Sequence, residues 1–366
     1  MLNKAFFPGK YIQGAGAFNE LPSLVNLFGK QGLILASRSP YGRIIPESGI
    51  NLEANSLSVE QFGGECCEEE LSRVETLIRE HHFDVLVGMG GGKVIDTAKI
   101  AADRENIPVI IVPTIASTDA PCSGCAVLYT KFGVYQSVYY QKLNPAIVLV
   151  DTNIIANAPV RFLVAGMGDA LATWFEAKSC SETRSRNECG GLATLSGLNL
   201  ARLCYETLLK DGSAAKTAAE KHTVTDALEH IVEANILLSG IGFESGGLAS
   251  AHSIHNGFTA LEETHAYYHG EKVAFGLLAG LQLNGASEEE IETVYSFCEE
   301  VGLPTTLAEI GLANADRERL MSAALKASSS NEFIHHETVA ITPEKVLEAM
   351  LAANTTGQKR KKAANA

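Results

Sequence analysis

The chain has 366 residues, enough for two domains with a sizeable core. Its 29 Lys and Arg against 43 Asp and Glu leave a formal net charge of −14, which repels phosphate backbones and anionic bilayers and points to a small ligand, with neither nucleic acid nor membrane as partner. A hydrophobic fraction of 46% with 20% charged residues excludes a disordered chain.

No apolar run approaches the ~18 residues that a bilayer span requires, because prolines such as Pro108 and Pro113 interrupt them. The opening residues 1–10 lack the apolar core and cleavage site of a secretory signal, so a cytoplasmic protein is expected. Eight cysteines are too few for a disulfide scaffold in a chain this long, and reduced thiols are the default. Cys122 and Cys125 have the spacing of half a zinc or redox motif, yet no second pair at zinc-finger spacing follows.

In chain order, Gly32–Ala36, 84–87, 109–112 and 147–150 are short and apolar on both faces, as buried parallel strands are. Between them, 68–82 places Leu71, Val74, Leu77 and Ile78 at helical spacing behind an acidic first turn. Strand–helix–strand repetition predicts a doubly wound α/β domain over 1–158. From Pro159 onward the segments 162–180, 192–209, 215–240, 272–283, 287–301 and 317–328 all read as helices. The second domain, 159–366, is therefore expected to be all-helical, with a ligand cleft between the two. The tail from Gln358, with Lys359, Arg360, Lys361 and Lys362, reads as a solvated end.

The strand at 84–87 runs into Gly88-Met89-Gly90-Gly91-Gly92-Lys93, and a helix opens at once with Val94-Ile95-Asp96. A glycine turn before a helix N-terminus lets backbone N–H groups and the macrodipole hold a pyrophosphate, because no Cβ blocks its approach. The pattern is neither G-x-G-x-x-G, which fails at Lys93, nor a P-loop, which fails at Val94. A tight turn without a ligand is the bland alternative. The next strand ends in the small, polar loop 112–123, on the sheet edge where open α/β folds bind ligands.

Of ten histidines, His81, His82, His335 and His336 read as surface or loop residues, His222 falls in a charged helix and His230 reads as structural. Four are concentrated: His252, His255, His265 and His269. Imidazoles with one carboxylate make an open three-ligand zinc site, although core histidines are common and any acid could be the third ligand. Asp169 stands out, because a carboxylate among glycines and alanines in an apolar helix is costly to bury unless paired or metal-bound.

Taken together, Pro8-Gly9-Lys10-Tyr11-Ile12-Gln13-Gly14, Phe62-Gly63-Gly64-Glu65-Cys66, Gly90-Gly91-Gly92-Lys93, the loop 113–123, Gly168-Asp169-Ala170-Leu171-Ala172-Thr173-Trp174-Phe175-Glu176-Ala177, the His252 stretch and His269-Gly270-Glu271-Lys272-Val273-Ala274 resemble the iron/zinc-containing polyol dehydrogenase family, related more distantly to dehydroquinate synthase. The resemblance covers nearly the whole chain. It implies a dehydroquinate synthase-like fold, with a parallel, Rossmann-like α/β domain followed by an all-α domain. It also implies one Zn2+ per chain on Asp169, His252 and His269, and Asp119 on a small-molecule polyol. NAD would lie along Gly92, Lys93, Val94, Ile95, Asp96, Thr114, Ile115, Ala116, Ser117, Ser123, Cys125 and Tyr129. His255 resembles a neighbour of the metal that is not a ligand, and it is a candidate proton relay.

The implied reaction is reversible oxidation of glycerol, or a related vicinal diol, to the hydroxyketone, and the implied assembly is a homo-oligomer, an octamer. Two places depart from the family. NAD-using members carry an aspartate aligned with Ser37, and the Ser37-Arg38 pair found here makes NADP possible. Ile334-His335-His336-Glu337 replaces a loop richer in glycine and proline, so no role is carried over there. A lyase of the dehydroquinate synthase type would need clustered Arg and Lys, whereas the metal segments offer mainly Lys272. A sensor that had lost its chemistry would not be expected to retain all three ligand types.

Overall fold

The computed structural model describes residues 1–364. Packing divides the chain into two units: Phe6–Leu163 with Thr217–Gly240, and Met1–Ala5 with Val164–Lys216 and everything described from Ile241 onward. The first unit is built on six parallel strands: β1 (Tyr11–Gly14), β2 (Gly32–Ala36), β3 (Leu57–Gln61), β4 (Val85–Gly90), β5 (Val109–Pro113) and β8 (Ile147–Asp151). Their order is β1-β8-β5-β4-β2-β3. The four central strands are buried along their whole length, which is why they read as continuous apolar runs. The edge strands β1 and β3 keep half-exposed or exposed residues, and their mixed composition conceals them in the sequence. An antiparallel hairpin, β6 (Cys125–Tyr129) and β7 (Tyr135–Tyr140), follows the polar loop and was not anticipated.

The domain boundary expected at 158/159 differs from the observed packing, because 217–240 belongs with the sheet. Glu229 accepts from Gln13 Nε2 (2.7 Å) and Thr152 Oγ1 (2.7 Å), and Asn235 Nδ2 donates to the carbonyls of Ala116 (3.0 Å) and Leu163 (3.1 Å). The helix expected over 215–240 is correspondingly broken. Helix Leu195–Glu220 ends before His222, which takes a left-handed φ of 52° with Nδ1 3.0 Å from the Ala156 carbonyl, and the chain restarts at Asp226–Glu233. His222 is thus a turn residue and His230 an exposed one.

The second unit is helical, and among the described residues its extended backbone is limited to an isolated bridge between Asn3 and Leu192. Helices Val160–Thr183, His269–Asn284, Glu288–Val301 and Arg317–Ala327 lie close to their expected positions, and Ser250–Phe258 is a further helix outside the expected segments. The C-terminal tail is the end of a helix, Pro343–Ala364, on which Lys359, Lys361 and Lys362 are exposed as expected, whereas Arg360 is half-buried. Arg360 bonds Glu299 through two nitrogens at 2.8 Å, meets Glu292 and covers the Tyr295 ring, while Lys361 pairs with Glu309 at 2.7 Å. Arg360 and Lys361 therefore pair with acidic side chains of their own unit. No helix among the described residues is long and apolar enough to cross a membrane.

Candidate functional site

In the sheet unit, β4 ends at Gly90 with a φ of 148°, and a Cβ there would run into the side chain of Ser37 at the end of β2. Glycine is required for these strand ends to close. Helix Gly92–Glu105 starts immediately, and no side chain caps its first turn, leaving N–H groups available to an anion. Lys93 reaches Glu65 (2.5 Å) and lies 5.2 Å from the Tyr129 ring, while Val94 and Ile95 are buried. Thr114, Ile115, Ala116 and Ser117 follow β5, with the Thr114 N–H donating to the Gly90 carbonyl (3.0 Å). These residues, with Ser37, lie at the carboxyl ends of β2, β4 and β5. Asp119 is buried and accepts from Ser239 Oγ (3.1 Å).

Behind that loop, two charged groups of one helix are buried. Lys99 donates to the carbonyls of Ala120 and Cys125 and to Ser123 Oγ. Asp96 accepts from the Val127 N–H (3.2 Å) through one oxygen, while its other oxygen has no hydrogen-bond partner. Burial pushes the Asp96 carboxyl up to about 6, against the opposing pull of Lys99 and the Val127 N–H. In the unfolded chain the group returns towards 3.8, so the folded protein binds this proton more tightly, and ionised Asp96 opposes folding as pH rises through 6. Asp96→Asn should therefore be more stable than wild type by about 2 kcal/mol above neutral pH, and the gain should vanish as pH falls towards 4. Urea denaturation of both proteins across that range checks this, and a difference independent of pH would contradict it.

In the helical unit, Gly270 sits where a Cβ would overlap the carbonyl of Ala165, and a Cβ on Gly168 would overlap the carbonyl of Gly270. Two helices thus meet backbone to backbone, and their neighbouring residues converge: Asp169 Oδ1 lies 3.1 Å from His269 Nε2 and 3.4 Å from His252 Nε2. Among the described residues, these three form a group whose ligand atoms all lie within 4.8 Å of one another. His265 is exposed and stands apart, with Nε2 3.1 Å from the Thr259 carbonyl, and Cys122 and Cys125 are not in the group. None of the eight cysteines forms a disulfide.

Glu176, two turns along the same helical face as Asp169, accepts from His252 Nδ1 (2.6 Å) and from the N–H groups of Ala249 (2.9 Å) and His252 (3.0 Å). Glu337 accepts from the Ser250 N–H (3.0 Å) and Ser179 Oγ (2.6 Å). The two carboxylates anchor the N-terminus of the helix bearing His252 and His255. Neither had been assigned a role from sequence, though the seven-residue interval between Asp169 and Glu176 was a readable signal of a shared face. His336, expected at the surface, is half-buried with Nδ1 2.8 Å from the Leu248 carbonyl.

Burial would raise the Asp169 carboxyl, but His269 and His252 outweigh it and hold it well below the usual carboxylate range. Burial would lower His252, yet Glu176 and Asp169 raise it well above the ordinary histidine value. For His255, burial together with His269, Lys272 and His252 drives the value well down, so this ring is neutral. A buried carboxylate facing two imidazole Nε2 atoms, one of them braced by a second carboxylate, is a group of donor atoms that could hold a cation.

The family model for iron-containing alcohol dehydrogenases matches residues 8–152. The chain is 52% identical to a glycerol dehydrogenase of Thermotoga maritima, covering 99% of each protein, and 48% identical to one of Citrobacter freundii, covering 98% of this chain and 99% of that protein. A crystal structure of a probable glycerol dehydrogenase from Sinorhizobium meliloti superposes with a TM-score of 0.93 at 44% identity, covering 98% of this chain and all of the other. The chain therefore belongs to the glycerol dehydrogenase family of iron-containing alcohol dehydrogenases and is an oxidoreductase.

Proposed function

We propose that the protein reversibly oxidises glycerol to dihydroxyacetone, passing a hydride to NAD, with one divalent ion, zinc, on Asp169, His252 and His269. The observation that carries this reading is the buried Asp169 carboxylate with two imidazole Nε2 atoms within 3.4 Å. Two nitrogens and one oxygen suit zinc or iron(II) and leave positions open for substrate. When bound, the ion acts as a Lewis acid that lowers the pKa of the substrate hydroxyl it touches. Asp169 keeps its charge, Glu176 fixes the His252 ring, and Asp119 accepts a hydrogen bond from the polyol. The first-turn N–H groups from Gly92 onward bind the pyrophosphate, with Lys93, Val94, Ile95, Asp96, Thr114, Ile115, Ala116, Ser117, Ser123, Cys125 and Tyr129 lining the dinucleotide. His255, buried and neutral, acts on His269 and not on substrate. By the same resemblance the working assembly is a homo-octamer.

The deciding assay mixes purified protein, glycerol and NAD and follows absorbance of the reduced cofactor. No turnover with glycerol or any vicinal diol would refute the reading. Asp119→Ala should raise KM for glycerol about tenfold or lower kcat, with metal content near wild type. Metal loss in that variant would overturn the role given to Asp119.

Ser37 favours a second reading of the cofactor. It is half-buried beside Gly90, it carries no charge, and Arg38 next to it is exposed. A 2′-phosphate meets no carboxylate there, so NADP should support measurable turnover, and Ser37→Asp should depress it selectively by about 10–100-fold. An unchanged NADP-to-NAD ratio in Ser37→Asp would show that this position does not read the 2′ group.

A further inference from the structure

A neutral imidazole that offers Nε2 to a metal carries its proton on Nδ1, and that N–H needs an acceptor. For His252 the acceptor is the Glu176 carboxylate at 2.6 Å. For His269 it is another histidine: Nδ1 lies 3.1 Å from His255 Nε2. His255 Nε2 can accept only if its own proton is on Nδ1, and that atom lies 3.1 Å from Asn256 Oδ1, which accepts and cannot donate. Asn256 in turn presents its oxygen to His255 because its Nδ2 donates to Glu332 Oε2 at 2.9 Å. A carboxylate is acceptor-only, so turning the amide around would set oxygen against oxygen at Glu332 and N–H against N–H at His255. Every bond in the series therefore points one way, away from His269, and Glu332 fixes the direction. The segment is held in place at its far side as well, where the Ile334 N–H donates to Ser253 Oγ (2.8 Å) on the helix that carries His255.

We propose that Glu332 is a positioning residue for the metal site, acting through Asn256 and His255 to hold the His269 proton on Nδ1 and leave the Nε2 lone pair facing Asp169. The inference rests on the metal reading above. It assigns the half-exposed Glu332 a part in a site that its own side chain does not touch, and it makes His255 a link in a polarised series and not an acid or base.

The test uses the whole protein loaded with cobalt(II). The ring N–H protons of imidazoles bound to this paramagnetic ion give strongly shifted resonances that disappear in D2O. Wild type should show two, from His252 and His269. In Glu332→Ala one of the two should broaden or vanish through faster solvent exchange, and cobalt affinity, from chelator competition, should fall about tenfold. Glu332→Gln keeps an oxygen that accepts from Asn256 Nδ2, so it should retain both signals and stay within about threefold of wild type. Should Glu332→Ala fail to fold, as judged by melting of the metal-free protein, Asn256→Ala carries the same expectation. Unchanged signals and affinity in the alanine variant, or equal losses in Ala and Gln, overturn the proposal. Failure of the metal reading looks different: wild type would bind no stoichiometric cobalt, or His269→Ala would bind it as tightly as wild type.

Discussion

His269→Ala should lower kcat/KM for glycerol by about a thousandfold or more and leave purified protein with little bound metal. Asp169 is fully buried, and the His252 and His269 rings turn their Nε2 atoms to its carboxylate, so a bound cation would offset that charge. Deleting one of the three proposed ligands removes a donor atom from the ion, so affinity falls. Activation of an alcohol by a metal supplies several kcal/mol of barrier lowering, and ~4 kcal/mol corresponds to about a thousandfold in rate. Chelation of wild type should reach the same residual activity, and adding zinc back should restore wild type but not the variant. Elemental analysis alongside turnover checks both statements. Full activity in protein shown to be metal-free would remove the basis of the assignment.

How much of such a site is legible in a sequence depends on how local its cause is. Asp169 was legible because a carboxylate flanked by Gly168 and Ala170 has no ordinary reason to be buried. The glycines of 88–92 were legible because a strand, a turn and a helix follow one another within a dozen residues. Glu176 was half legible, since helical spacing puts it on the Asp169 face but nothing local says that it caps another helix. Glu332, Asn256 and Glu337 were not legible, because their contacts join segments some 76 to 158 residues apart. The same division runs through the fold. Central strands are apolar on both faces and announce themselves, whereas β1, β3 and the β6–β7 hairpin are exposed on one side or at an edge. The place of Arg360 was hidden for a related reason: composition records four cations but not the acidic helix that receives one of them.

Lys99→Met should destabilise the sheet-containing unit by about 3–5 kcal/mol and lower its melting temperature by roughly 10 °C, because it deletes one member of a buried set of charges. A lysine in Asp96-Thr97-Ala98-Lys99-Ile100-Ala101-Ala102 would ordinarily be read as the exposed point of an amphipathic helix. The structure buries it completely, and its three donors satisfy the carbonyls of Ala120 and Cys125 and the hydroxyl of Ser123. Methionine fills a similar volume but donates nothing, so the carbonyls of Ala120 and Cys125 lose their charged donor. It also removes the cation that pulls the Asp96 carboxyl down against burial. Asp96 should then titrate above its present value of about 6, and the loss of stability should be larger at pH 8 than at pH 5. Adding Asp96→Asn to Lys99→Met should recover part of the loss at pH 8 and little at pH 5, since the neutral amide has no charge to be stranded. The loop 114–123 leans on Lys99 through Ala120 and Ser123, so NAD affinity should weaken in Lys99→Met even at temperatures where the protein stays folded. Calorimetry at the two pH values with a cofactor titration decides the matter: a loss of stability equal at pH 5 and pH 8, with unaltered NAD affinity, would mean that Lys99 acts only as packing.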